Sequence, residues 1–221
     1  MKSLLSVGLI IFALSCGFSQ RQIVTFNYIG TTKAFNGKVF FVGAKAGVGP
    51  ELLVTDGTPG NVTVVKDING GPAGSSPDNL TVFNGQLYFT AYGPGQSYRG
   101  VWKTDGTSEG TQQVYFEQYS NAAKLTVFKN KLYFTTDLGK IVRTDGLITE
   151  TFFQSDYTSS NIPVLIATDQ YLYFTPYSPT FYRFDGTTRV DFPIAPSGDD
   201  LYFRNLFAVG NKVRSEERRV G

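Results

Sequence analysis

The sequence predicts an all-β fold built from copies of one short unit, and two recurring phrases are the observations behind this prediction. The first phrase is an Asp-Gly turn after a short apolar run, found at Asp56-Gly57, Asp105-Gly106, Asp145-Gly146 and Asp185-Gly186. The second is an aromatic-rich segment that precedes each turn, at 35–41, 83–89, 128–134 and 168–174. Self-similarity at steps of 40 to 49 residues indicates one supersecondary unit that buries its apolar face against its neighbours.

The second copy shows the expected strands most clearly. Residues 80–83 form an apolar and β-branched run, Asn84-Gly85 is the strongest two-residue hairpin signal, and 87–90 is the return strand. Two further strands are expected at 101–104 and 110–116. Each copy therefore contains about four short strands.

Four-stranded units at this period are typical of β-propeller blades. The sequence predicts about four such blades and the start of a fifth, because 206–213 aligns with 80–87. A β-solenoid is the alternative, but its coils are usually shorter and carry no paired hairpin signals. No apolar stripe of helical period follows residue 20, so we expect no helix in the mature chain.

The aromatic residues are predicted to form the core. Trp102 lies three residues before its turn aspartate, where the other copies place Leu53, Val142 and Tyr182. A position that accepts any large apolar group favours packing between blades over a ligand platform. The repeated Leu-Tyr-Phe triplets favour the same interpretation over a carbohydrate-stacking surface.

These phrases resemble the ELWxxDGT repeat of large secreted, often hyalin-like bacterial proteins. The matching segments are 51–58, 65–71, 75–77 and 80–89. The similarity covers most of residues 32–187, although the third copy has Leu147 where Thr is expected and the fourth has Phe184 before its Asp. The resemblance implies a repeat-built extracellular protein, often exported by the type IX secretion system. It implies no catalytic residues.

The first 19 residues have the pattern of an export signal. Lys2 supplies the positive start, 4–14 the apolar stretch, and Gly17 and Ser19 the small residues before cleavage. No stretch is long enough for a membrane span. We therefore expect a secreted protein or one on the outer surface of a Gram-negative bacterium. Lipidation at Cys16 is the alternative, and ordinary cleavage would leave a mature chain without cysteine.

Residues 214–221 share no character with the repeats and resemble the translated sequence of a common sequencing-library adapter. We expect the repeat domain to be 20–213, incomplete at its C-terminal end, followed by this non-native tail. Without Lys2 and the tail, the formal charge of +2 falls to zero. The sequence therefore does not predict binding to nucleic acid, which favours a clustered basic face.

The chain contains no histidine, which excludes a Ser-His-Asp triad and histidine-ligated metals. Carboxylate chemistry, as in a glycan hydrolase or lyase, remains the alternative function. The four repeated turn aspartates are interpreted as structural, because Asp readily initiates tight turns. The acids considered for catalysis are the non-repeating ones, Glu117, Asp156, Asp191, Asp199 and Asp200.

A calcium site is a second, weaker hypothesis. Asp67, Asn69 and Asp78 offer hard oxygen ligands around the Gly-rich segment 66–79. The segment lacks the spacing and final Glu of an EF-hand, which weakens this hypothesis. Apart from this calcium candidate we expect no cofactor, and the sequence assigns no catalytic or cofactor-binding residue.

The connections 43–50, 66–79 and 91–100 differ in length and composition between copies. Functional groups on repeat scaffolds tend to lie in such loops. The sequence thus favours a non-catalytic binding or adhesion module for an extracellular glycan or surface protein, with a purely structural spacer as a third option. Tyr92, Tyr98 and Arg99 are the expected ligand contacts, because Tyr and Arg are enriched at energetically important interface positions.

The break after Val213 generates a prediction about the gene. We expect the native reading frame to continue with an aromatic pair and to reach an Asp-Gly turn about 13 to 18 residues later, as in the complete copies. Long-read sequencing of the source DNA measures this. An unbroken frame that contains 214–221 would contradict it.

Overall fold

A computed structural model describes residues 29–45, 47–154, 164–175, 180–193, 205–210 and 212–216. The expected export signal and Cys16 lie outside the described residues. The strands are β1 (Ile29–Phe35), β2 (Lys38–Lys45), β3 (Val48–Thr55), β4 (Val62–Val64), β5 (Asp78–Phe83), β6 (Gln86–Tyr92), β7 (Arg99–Thr104), β8 (Gln112–Tyr115), β9 (Ala122–Phe128), β10 (Lys131–Thr136), β11 (Lys140–Thr144), β12 (Thr149–Gln154), β13 (Val164–Ala167), β14 (Leu172–Thr175), β15 (Thr180–Phe184), β16 (Arg189–Pro193), β17 (Asn205–Val209) and β18 (Lys212–Glu216).

The strands form four four-stranded antiparallel sheets in strict chain order, β1–β4, β5–β8, β9–β12 and β13–β16, with β17 and β18 as a separate hairpin. The prediction of an all-β fold made of blade-like repeats is confirmed. Antiparallel hairpins in every sheet are the arrangement of propeller blades and not of solenoid coils. The hairpin β17–β18 crosses the expected domain end at residue 213, and the origin of the tail stays a prediction.

No helix occurs in the described part of the chain, so none of these residues forms a helix that could cross a membrane.

The tight hairpins follow from their turn residues. Asn84 and Gly85 have φ values of 47° and 68°, and a two-residue type I′ turn requires positive φ at both positions. The third copy places Lys129 and Asn130 in the same turn, at 40° and 50°. A lysine rarely adopts this conformation, so the pairing of β9 with β10 holds it there.

The chain divides into two compact units, a first unit of residues 1–116 and a second unit of residues 117–221. In the first unit, an apolar cluster joins the sheet β1–β4 to the sheet β5–β8. Phe40 of β2 packs there with Leu87 and Phe89 of β6. Trp102 of β7 belongs to the same cluster and is 7% exposed, as predicted for a residue that packs between sheets.

The second unit repeats this arrangement with equivalent residues. Tyr133 of β10 packs with Leu172 and Phe174 of β14 in one cluster. In both units the middle residue of a triplet faces the following sheet, and the two flanking residues of the next triplet face the preceding one. This alternation is the two-residue period of a β-strand, which sends successive side chains to opposite faces.

The packing of the triplets between sheets, which we call the packing rule, predicts which aromatic residues contribute most to stability. Phe89 is fully buried, whereas Phe116 of the same unit is 38% exposed. We expect Phe89→Ala to lower the unfolding free energy of the first unit by about 3–5 kcal/mol through cavity formation. Phe116→Ala, the control, should cost less than about 1 kcal/mol. Equilibrium denaturation of both variants measures the difference, and equal losses would refute the rule.

Candidate functional site: a loop cluster in the first unit

The three connections that vary between copies come together in the first unit. The Gly49 N–H donates to the Gly71 carbonyl at 2.9 Å, and the Ser76 N–H donates to the Pro50 carbonyl at 2.8 Å. The Tyr92 N–H donates to the Ser75 carbonyl at 2.9 Å. The segments 43–50, 66–79 and 91–100 are therefore joined by backbone hydrogen bonds, and we call them the loop cluster.

The strands run further into these connections than the sequence indicated. β2 ends at Lys45 and β3 begins at Val48, so most of the first connection is strand. The third connection is shortened to 93–98, because Tyr92 and Arg99 still pair across β6 and β7. The middle connection lies between β4 and β5 and is the longest part of the cluster.

Glu51 of β3, which directly follows the first connection, is the buried acid to which the loop cluster is bonded. Its side chain is fully buried. Its Oε1 accepts the Ser75 N–H at 2.8 Å and the Asn69 N–H at 3.2 Å, and its Oε2 accepts the Ser75 hydroxyl. Burial raises the pKa of this carboxyl, and the hydrogen bonds from Ser75, Asn69 and Ile68 partly offset the rise. Through its bonds with Asn69 and Ser75, one carboxylate on a strand thus holds both ends of the segment 68–75.

Sequence reasoning missed Glu51, although a signal was present. Glu51 lies five residues before the turn Asp56, and the equivalent positions of the other copies hold Gly100, Lys140 and Thr180. Glu51 is therefore itself a non-repeating acid, and it directly precedes the apolar run 52–54. A carboxylate beside a buried run needs hydrogen-bond donors close by, and only the fold shows that the distant segment 66–79 supplies them.

Two glycines allow the backbones of this cluster to approach each other. A Cβ on Gly49 would lie 2.4 Å from the Gly74 nitrogen and 2.5 Å from the Pro72 carbonyl oxygen. Gly74 also has a φ of +61°, which favours glycine. Any larger residue at position 49 would push 72–74 away from β3.

Of the three predicted ligand contacts, Arg99 and Tyr92 lie against each other. The guanidinium carbon of Arg99 is 4.5 Å from the centre of the Tyr92 ring, within the range of a cation–π interaction. Nη1 of Arg99 donates to the Ser76 carbonyl. Tyr98 precedes Arg99 and is half-buried like the other two. Arg99 thus links the hairpin β6–β7 to the segment 66–79.

The hairpin loop 93–98 is held by hydrogen bonds of Gln96, within the loop and to Gln113 of β8. The amides of Gln96 and Gln113 exchange two hydrogen bonds of 2.9 and 3.1 Å, and the Gly93 N–H donates to the Gln96 Oε1 at 3.0 Å. A Cβ on Gly100 would lie 2.5 Å from the Gln113 Nε2. Gln96 and Gly100, two residues to either side of Tyr98, therefore both lie against Gln113.

The four turn aspartates accept hydrogen bonds from their own turns. Oδ1 of Asp185 accepts the Thr187 N–H, the Thr187 hydroxyl and the Thr188 N–H at 2.7–2.8 Å. Asp56 and Asp105 likewise accept the N–H of the threonine two residues later, at 2.8 Å. Asp145 keeps this turn without a threonine by accepting two backbone N–H groups at 2.9 Å, and Leu147 at its tip is 95% exposed.

The acids considered for catalysis are not brought together by the described structure. Glu117 forms an ion pair with Lys140, and Asp191 forms an exposed one with Arg189 at 3.0 Å. Asp156, Asp199 and Asp200 lie outside the described residues.

The calcium candidates make contacts within the protein. The Asn69 side chain donates to the Gly74 carbonyl at 2.9 Å, and Asp78 accepts the Thr31 hydroxyl at 3.0 Å. Asp67 is exposed. Across the described ranges, no three residues of the His, Cys, Asp and Glu types converge as metal ligands. The calcium site stays a prediction.

No protein-family model matches the chain, and no curated protein matches it. Solved structures that resemble it include the computationally designed Ika8 protein, at 16% identity and a TM-score of 0.49, with 89% of this chain and 59% of that chain covered. A protein of unknown function from Bacteroides thetaiotaomicron VPI-5482 gives 15% and 0.44, over 73% of this chain and 42% of that one.

PorZ, a surface component of the type-IX secretion system of Porphyromonas gingivalis, gives 15% identity and a TM-score of 0.42, over 76% of this chain and 21% of that one. The chain thus spans 59% or less of the length of each of these three proteins. The likeness to ELWxxDGT-repeat proteins rests on the sequence phrases alone.

The turn hydrogen bonds predict a response to acid in the second unit. The backbone N–H groups of Thr188 and Thr187 lower the pKa of Asp185 from 3.8 to about 2. A lowered carboxyl pKa contributes stability above pH 3.8 that is lost as the pH falls through about 2. We expect Asp185→Asn to reduce the slope of unfolding free energy against pH in this window.

Urea titrations between pH 2 and pH 5 measure that slope. Asp169→Asn, a matched change at an exposed position of the same unit, is the control and should retain the wild-type slope. Identical slopes for Asp185→Asn and the wild type would refute the assignment.

Proposed function

We propose that this protein is a secreted or cell-surface repeat protein without catalytic activity, which binds an extracellular glycan or surface protein through the loop cluster. The observation that carries the proposal is that hydrogen bonds join the three variable connections. Glu51 and the contact of Gly49 with Gly74 hold the segment 66–79 against β3, and the Tyr92 N–H and Arg99 bind the same segment from the third connection. Packing of the sheets does not require these contacts, since the other copies lack the equivalent acid.

A preorganised surface favours binding because little conformational entropy is lost when the ligand arrives. The amide pair of Gln96 and Gln113 and the contact of Arg99 with Ser76 supply this order around Tyr98. Tyr and Arg at half-buried positions are the residue types that dominate measured interface energies. Tyr98, Tyr92 and Arg99 are therefore the proposed contacts.

Export is the second part of the proposal and rests on the signal pattern at 1–19. A calcium ion held near Asp67 and Asp78 would further order the segment 66–79. The glycan hydrolase or lyase and the structural spacer remain the competing functions. Product analysis and binding measurements distinguish all three.

The proposal predicts a selective effect of Tyr98→Ala. The full chain, labelled and applied to a glycan array and to bacterial surface extracts, should bind a restricted set of glycans or proteins. Tyr98→Ala should weaken this binding by at least about tenfold, the loss typical of a hot-spot residue. Tyr119→Ala is the control, because Tyr119 is 68% exposed in the second unit and should leave binding unchanged.

The same samples are assayed for new reducing ends, and each binding measurement is repeated with calcium and with a chelator. Reducing ends that disappear on Glu117→Gln would establish the hydrolase instead. Equal losses for Tyr98→Ala and Tyr119→Ala would remove the loop cluster as the binding surface. Absence of any bound glycan or protein would favour the spacer.

A further inference from the structure

Hydrogen bonds on Ser75 and its chain neighbour Ser76 link the buried carboxylate of Glu51 to two of the three proposed contact residues, Tyr92 and Arg99. Glu51 accepts the N–H and the hydroxyl of Ser75. The carbonyl of Ser75 accepts the Tyr92 N–H at 2.9 Å, and the carbonyl of Ser76 accepts Nη1 of Arg99. The positions of Tyr92 and Arg99 therefore depend on the positions of Ser75 and Ser76, and the position of Ser75 depends on Glu51.

Ser75 is the junction of these hydrogen bonds. It is fully buried, and both its N–H and its carbonyl are used, one toward the core and one toward the hairpin β6–β7. Ser76 is anchored a second time, since its N–H donates to the Pro50 carbonyl at 2.8 Å. A shift of Ser75 away from Glu51 would therefore displace the acceptors of Tyr92 and Arg99 together.

We propose that Glu51 is the positioning residue of the loop cluster, which sets through Ser75 and Ser76 where Tyr92 and Arg99 lie. The role of Glu51 in binding rests on the proposed function, whereas its role in ordering the segments 66–79 and 91–100 does not. A carboxylate suits this position because its two oxygens accept several donors at once. In Glu51→Gln, an amide NH2 replaces the oxygen that accepts the Ser75 hydroxyl, so the hydroxyl hydrogen loses its acceptor. The bonds from the Ser75 and Asn69 N–H groups then go to a neutral oxygen and are weaker than bonds to a carboxylate.

The other charged or titratable groups on the packed segments are engaged elsewhere or face solvent. They are Lys45, Lys66, Asp67, Asp78, Tyr92, Tyr98 and Arg99. Lys66 donates to the Thr111 carbonyl at 2.9 Å, and Asp78 accepts the Thr31 hydroxyl. Desolvation and hydrogen bonds, with no charged neighbour among the causes, set the pKa of Glu51. Its titration is therefore a signature of this one group.

Hydrogen exchange of the full chain tests the coupling without any ligand. In Glu51→Gln, we expect the Tyr92 amide and the amides of 68–76 to exchange at least about tenfold faster. In the wild type, these residues must break their hydrogen bonds to the carboxylate before they open, and the variant lacks these bonds. Amides of 101–104 in the same unit should be unchanged. Glu109→Gln, the same substitution at an exposed position of this unit, is the matched control and should exchange like the wild type.

A second readout separates positioning from general support of the fold. The raised pKa of Glu51 contributes stability below the ordinary value of 4.5 that is lost as the pH rises through its folded-state pKa. Glu51→Gln should flatten this dependence in the first unit, and Glu109→Gln should retain it. Ser75→Ala removes a hydrogen bond that lowers this pKa, so it should extend the dependence to higher pH.

The outcomes distinguish this inference from the proposed function. Faster exchange limited to 68–76 and Tyr92, with no glycan or protein bound in the screen, supports the positioning role and refutes only the binding function. Where a ligand is found, Glu51→Gln should weaken the binding of that ligand about as much as Tyr98→Ala does. Acceleration spread evenly over the first unit, or none at Tyr92, overturns the inference. If Glu51→Gln fails to fold, Ser75→Ala decides by the same exchange pattern.

Discussion

The packing of aromatic triplets between consecutive sheets is the interaction on which the rest of the structure depends. In each unit one aromatic residue of a hairpin, Phe40 or Tyr133, packs in one cluster with two apolar residues of the next hairpin. Burial of such side chains is the largest favourable term in folding. Because strand alternation sends successive side chains to opposite faces, one short phrase supplies the residues that join the two sheets of each unit.

This arrangement concentrates the packing requirement in the strands and leaves the connections free to vary. The Asp-Gly turns show how little a connection needs: Asp145 retains its turn after Thr is replaced by Leu147, because backbone N–H groups supply the hydrogen bonds. The loop cluster is different. It is fastened by a buried acid and by two glycines in close contact, features that a turn does not require.

Glu51 also illustrates the cost of polar groups in a core. A buried carboxylate is unfavourable unless donors surround it, and the segment 68–75 provides them from its backbone and from Ser75. The same bonds that stabilise the acid therefore determine the path of the segment. Stability and the shape of the exposed surface depend on one set of contacts in the first unit.

The sequence by itself determined the all-β class, the unit of about four short strands and the packing role of Trp102, because turn chemistry and strand alternation are local properties. It also singled out the three connections. Only the tertiary structure decided that these connections meet, that Glu51 is buried among them and that Arg99 bonds to Ser76. These contacts join residues 18 to 24 positions apart in the chain. No periodic pattern encodes such pairings, since they depend on how one sheet and its following loop pack in space.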